Sequence, residues 1–214
     1  MLKLGPSTVA DRPAILLGQS DLYPRATSIR VDAGEAGRLA TQHLIDLGHR
    51  RIAHVGSRAD LSFQDQTRGY RRAMRDAGLT VPREYEIDIH TVPRHLVSLE
   101  MARNAARILL SCARPPTGVF AYWDEIAAGI ALEALERGLR VPGDLAVIGV
   151  VGDGADLKEQ TRRLVPMGIS TVWFDQGALV DLGIRTLLAR VEGRRAPSGD
   201  TPSPVLRAAA STIG

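Results

Sequence analysis

Cysteine is nearly absent from this 214-residue chain, Cys112 being the only one. A single thiol excludes an internal disulfide and fits a reducing compartment, so the expected location is the cytoplasm. Aromatic residues make up only 4% of the chain, and any core must therefore be aliphatic and alanine-rich. Lysine is confined to Lys3 and Lys158, all other basic residues being arginine, and the net charge is only +3. That skew is more often a mark of genome base composition than of a polyanion partner. No apolar run approaches the roughly 18–20 residues of a membrane helix. Pro6, Asp11 and Arg12 break up the start, so no secretory signal is expected.

Recognisable catalytic patterns are equally scarce. The five histidines (43, 49, 54, 90 and 95) show neither H-E-x-x-H nor paired-cysteine spacing, so no metal site is expected. Ser57 lacks the G-x-S-x-G elbow of a nucleophile. Gly149, Gly152 and Gly154 follow a strong strand as G-x-x-G-x-G, not as the G-x-G-x-x-G of a dinucleotide site, and no good helix start follows. A plain loop is the simpler reading, and a nucleotide-using α/β enzyme built on that loop is the alternative. The arginine pairs at 71–72, 162–163 and 194–195 are not interleaved with aromatics and read as solvated surface. No helix-turn-helix signature is visible, so these residues alone should not read DNA bases. Neither a catalytic residue nor a cofactor is assigned.

What the chain does contain is a regular alternation. Between Val31 and Gly56, Ala36, Leu39, Ala40, His43, Leu44 and Leu47 form one helical stripe. Asp32 stands at the N-cap and Gly48 at the left-handed C-cap, and the strand Ile52 to Val55 follows. Strands are expected at 13–17, 28–31, 85–89, 118–122, 145–150, 169–172 and 205–209. Helices are expected at 62–77, 94–111, 124 to about 138 (capped by Asp124) and 176–192. Strand following helix argues for parallel sheets joined by right-handed crossovers. In such sheets small molecules bind beyond the carboxyl ends of strands. Here those ends are 56–62, 90–91, 122–124 and 150–153.

These segments resemble the effector-binding core of the LacI/GalR family of bacterial transcription regulators. The likeness is carried by V-D-x-x-x-x-G-R-L-A-x-x-H-L-x-x-L-G-H-R-R-I-A-H-V-G (Val31 to Gly56) and R-G-Y-R-R-A-M-x-x-A-G-L (Arg68 to Leu79). It continues in W-D-E-I-A-A-G (Trp123 to Gly129), G-L-R-V-P-G-D-L-A-V-I-G (Gly138 to Gly149), and I-S-T-V with the helix ending L-L-A-R-V-E-G (Ile169 to Gly193). The resemblance implies an α/β, two-lobed, periplasmic-binding-protein-like fold with parallel sheets and a truncated N-terminal lobe. It implies crossovers near 31–32, 169–171 and 202–205. Residues 1–31 plus 169–202 would form a partial N-terminal subdomain, and 32–168 plus 203–214 a C-terminal one.

Two departures from the family pattern follow. The family carries a DNA-binding head and two more strand–helix units ahead of the point where this sequence starts. A sheet cut this way would expose an edge and apolar faces, so partner pairing, poor solubility or a misplaced start codon is expected. The implied partners are a small-molecule effector, a second copy in a homodimer, and DNA only through the missing N-terminal domain.

The second departure is in the cleft. Gln66 stands where the family usually carries an arginine, whose fork of donors grips ligand hydroxyls or carboxylates. Trp123 stands for a polar residue, Val151 for an aspartate (unless Asp153 replaces it), and Phe174 for an amide. Asp60, Ser62 and Gln66 keep a polar rim, and Val31 lies at a crossover. The implied effector site is therefore Val31, Asp60, Ser62, Gln66, Trp123, Asp124 and Phe174. Trp123 and Phe174 read either as core or as stacking surfaces for an effector with an aromatic or apolar body rather than a simple sugar. Asp124 reads as a helix cap before it reads as a ligand contact. A stand-alone or degenerate small-molecule-binding protein is the other reading of the whole.

Overall fold

The computed structural model describes residues 13–18, 26–58, 61–89, 99–152, 163, 165–195 and 201–213. The chain divides into two compact units, Met1–Asp32 with Phe174–Ser203, and Ala33–Trp173 with Pro204–Gly214.

In the smaller unit, β1 (Ile15–Leu17) and β2 (Thr27–Ile29) form a parallel pair in register Ile15 to Thr27. Helix α5 (Gln176–Val191) packs on them. Its N-cap is Asp175, whose carboxylate accepts the Ala178 N–H at 2.8 Å and so satisfies one of the orphan donors of the first turn. Ile29, Leu179 and Leu182 are the buried centre, with Ile15 and Val31 against them. The opposite stripe of α5, Val180, Ile184, Leu188 and Val191, is exposed.

The larger unit is a six-stranded sheet in the order β4-β3-β5-β6-β7-β8. The strands are β3 (Ile52–Gly56), β4 (Glu86–Asp88), β5 (Gly118–Ala121), β6 (Ala146–Gly152), β7 (Ser170–Phe174) and β8 (Val205–Arg207). β3 pairs in parallel with β4 and β5, and β5 with β6, while β7 and β8 are antiparallel. The central strands are apolar except for His54 on β3, as expected where both faces are covered. Ala53, Val55, Val119, Ala121 and Val147 pack into a core with helices α3 (Leu99–Leu110) and α4 (Asp124–Glu136). The strand assigned from sequence to the N-terminal subdomain (169–172) instead joins this sheet. There Trp173 pairs with Val205, and the Arg207 guanidinium lies 3.6 Å from the Trp173 ring centre, a cation–π contact.

Helix α1 (Ala33–Asp46) behaves at its C-terminus as its sequence dictates. Gly48 takes φ 94°, its N–H reaches the Ile45 carbonyl and the His49 N–H reaches Leu44, the two bonds of a Schellman cap. Arg50 adds a bond to the Ile45 carbonyl. The buried side is wider than one stripe, since Gly37, Thr41 and Ile45 are covered while Leu47 is exposed. The cause is α2 (Leu61–Asp76), which crosses α1 at very short range. A Cβ on Gly69 would lie 1.9 Å from the Gly34 carbonyl oxygen, and one on Gly37 would lie 2.2 Å from that of Gln66.

Candidate functional site

The carboxyl ends of β3 and β5 bring one group of side chains together. Phe63, in the first turn of α2, meets Tyr122 edge-on with ring centres 5.4 Å apart, and Tyr122 stacks on Trp123 at 4.4 Å. The Tyr122 N–H donates to the Val55 carbonyl at 2.8 Å, which extends the β3–β5 ladder to this corner. Ser62 and Gln66 lie one helical turn apart on α2. Gln66 is buried, and its Oε1 has no hydrogen-bond partner among the described residues. Trp123 is half-buried, while Asp124 is buried.

Asp124 is not the cap expected from sequence. The N-cap of α4 is Trp123, in extended backbone (φ −131°, ψ 161°) with no side-chain capping bond, and Asp124 is the first helical residue. A carboxylate there is favoured by the positive end of the helix dipole. Asp60 and Asp153 lie outside the described residues, as does the glycine loop beyond Gly152. Val31 and Phe174 fall in the smaller unit. Val31 packs on its core, and Phe174 ends β7, half-buried beside the capping Asp175. The structure thus ties Trp123 to α2, the helix that carries Ser62 and Gln66, through a Phe63–Tyr122 contact that sequence reasoning did not name. The available signal was position: Phe63 is three residues before Gln66, and Tyr122 ends an apolar strand next to Trp123.

Below this corner lies His54, fully buried on β3. It is stacked between Phe63 (4.7 Å) and Phe120 (4.4 Å), with Tyr70 at 5.2 Å. Its Nδ1 is 3.0 Å from the Phe120 carbonyl and donates to it, and Nε2 has no partner among the described residues. Burial lowers its pKa to about 4, so the ring is neutral at pH 7. Burial also pushes the Tyr70 hydroxyl up, and that group donates to the Ile52 carbonyl at 2.8 Å. Among the described residues no three His, Cys, Asp or Glu are placed to hold a metal ion. No helix among them is long and apolar enough to cross a membrane.

A mostly parallel sheet covered by helices, with aromatic side chains meeting at the carboxyl ends of its central strands, defines an open α/β fold of the kind in which small molecules bind beyond the strand ends. The chain belongs to the family of periplasmic binding protein-like domains, whose profile matches residues 41–212. It is 31% identical over 185 residues to the HTH-type transcriptional regulator GntR of Escherichia coli K12, covering 86% of this chain and 52% of that protein. It is 31% identical over 139 residues to catabolite control protein A of Priestia megaterium, covering 64% of this chain and 40% of the relative. The chain thus spans about half the length, or less, of these relatives. Among solved structures it resembles a LacI-family regulator from Sanguibacter keddieii, with TM-score 0.80 and 28% identity, over 99% of this chain and 77% of the other. A LacI-family protein from Chloroflexus aggregans matches with TM-score 0.78 and 29% identity, over 93% and 68%.

Proposed function

We propose that these 214 residues are the effector-sensing core of a LacI/GalR-type transcription regulator. The homologues are transcriptional regulators, and the strand-end group offers aromatic surfaces for binding. In this reading the protein works in the cytoplasm as a homodimer, and DNA contact belongs to a part of the protein outside this sequence. A bound effector shifts the balance between conformations, and the DNA-binding part reads that shift.

The observation that supports an effector with an aromatic or apolar body is the stack of Trp123 on Tyr122, with Phe63 at its edge. Ser62 and Gln66 on α2 supply a polar rim in this reading. The buried Gln66 amide, with an unpartnered oxygen, offers an acceptor where an arginine would offer only donors. A thermal-shift panel of simple sugars and aromatic metabolites tests this, read alongside Trp123 fluorescence in a Trp173→Phe background. Aromatic compounds are expected to raise the melting temperature and quench Trp123; stabilisation by sugars alone would refute the reading. A degenerate binder, favoured by the loss of the arginine at Gln66, predicts no shift with any compound. Inspection of the genomic DNA upstream of Met1 for an in-frame helix-turn-helix separates the regulator core from a stand-alone binder.

A further inference from the structure

A concavity adjoins the strand-end group at Phe63, wholly inside the larger unit, between α2 and the edge strand β4. Its volume is about 490 Å³, within the roughly 300–1,000 Å³ typical of small-molecule sites. His54, Phe63 and Ile87 line it together with Arg58, Arg68 and Thr67, and the Arg71–Glu86 pair walls one side.

The chemistry of this lining is specific. With Nδ1–H committed to the Phe120 carbonyl and the ring neutral, His54 Nε2 carries a buried lone pair. A buried acceptor left without a donor carries an unrecovered desolvation cost, and a ligand hydroxyl or N–H would remove it. Arg71 is fixed, both its Nε and its Nη2 donating to the Glu86 carboxylate at 2.6 and 2.5 Å. The other two guanidiniums are loosely held. Arg58 is 3.9 Å from Asp88 with its side chain 63% exposed, and Arg68 pairs with Asp65 one turn back while 69% exposed. Exposed pairs of this kind are worth little and exchange readily for another anion.

We propose that this pocket is a second small-molecule site that takes a small hydroxylated anion. The ligand's hydroxyl donates to His54 Nε2, its carboxylate or phosphate engages Arg58 and Arg68, and its carbon skeleton lies on Phe63 and Ile87. The two sites share only Phe63, so failure here leaves the strand-end reading standing.

The test is titration of the chain with glycerate, glycerol 3-phosphate, inorganic phosphate and glycerol. Binding is followed by calorimetry and by the ¹⁵N resonance of His54 Nε2. At least one of glycerate and glycerol 3-phosphate is expected to bind saturably and move Nε2 upfield, and which of them does so identifies the anionic group. Glycerol should not bind, and phosphate should bind more weakly without moving Nε2. His54→Phe, which keeps the stack, should weaken the hydroxylated anion about ten-fold and leave phosphate unchanged. Arg58→Gln, at an exposed position, should weaken both. No saturable binding by any probe, binding that leaves Nε2 unmoved, or binding indifferent to both substitutions would each overturn the proposal.

Discussion

Phe63 lies directly over Gly56: a Cβ on that glycine would come within 2.3 Å of the ring's Cε2 and 2.7 Å of the Tyr122 Cβ. The glycine at the end of β3 is therefore what lets the first turn of α2 close onto the sheet and lets the aromatic bridge form. Gly56→Ala is expected to expel the Phe63 ring, because His54 and Tyr122 hold it on two sides. Overpacking of this kind costs about 1–3 kcal/mol. The near-ultraviolet circular dichroism of the Phe63–Tyr122–Trp123 group should change with it. A variant of unchanged stability and unchanged aromatic signal would show that α2 docks without this contact.

The α1–α2 crossing makes a sharper demand. At Gly69 and Gly37 the obstructing atoms are backbone carbonyl oxygens, at 1.9 and 2.2 Å from an added Cβ, and neither can rotate away. Gly69→Ala and Gly37→Ala should each lower the free energy of unfolding by about 3 kcal/mol, at the upper end of ordinary overpacking costs. Helix propensity alone would favour alanine by up to about 1 kcal/mol. The sign of the change in urea midpoint therefore decides between propensity and crossing distance.

Much of this architecture was legible in the chain. The left-handed cap at Gly48 and the apolar strands follow from local rules that need no partner, and the described elements lie close to their expected places, the expected helical start at 94–98 lying outside the described residues. The width of the buried face of α1 was not legible. A single apolar stripe presumes one packing partner, whereas α1 meets both the sheet and α2, so Gly37 and Thr41 are buried and Leu47 is left outside. The strand at 170–174 was misassigned because its apolar character is the same in either unit, and its place between β6 and β8 decides. At the strand ends, sequence could not reveal the Phe63–Tyr122 contact that ties Trp123 to α2, since ring stacking depends on the angle at which α2 returns to the sheet.

Burial of His54 predicts an acid-sensitive fold. Its pKa falls from about 6.5 in an unfolded chain to about 4 in the native one, chiefly through desolvation. The unfolded state therefore binds the proton more readily. Stability from this group is complete above about pH 6.5 and is lost as pH falls towards 4, by on the order of 3 kcal/mol. Burial lowers His43 and His49 as well, so they act in the same direction. Chemical denaturation between pH 7 and pH 4 should give a steep slope in the wild type and a shallower one in His54→Phe. Equal slopes would mean that the imidazole is hydrated in the native state.

Lower on the pH scale a different group takes over. Glu133 on α4 accepts hydrogen bonds from Arg103, Arg107 and Arg137, each at 3.0 Å, and the Arg107 contact contributes most to lowering its pKa to about 2. An unfolded glutamate titrates near 4.3, so the stability Glu133 contributes is complete above that value and disappears as pH falls to about 2. Glu133→Gln removes the charge while keeping the shape, leaving Arg103 with Glu136 and Arg107 with Glu100. The variant is expected to be less stable than the wild type at pH 7, and the gap should close between pH 4.3 and 2, where the wild-type carboxylate takes up its proton. Asp144, held low in the same way by Arg140, titrates over the same range in both proteins, so it cancels in the difference between the two curves. Convergence of the two denaturation midpoints on acidification is the specific signature; parallel curves down to pH 2 would show that the three arginines do not hold this carboxylate in its charged form.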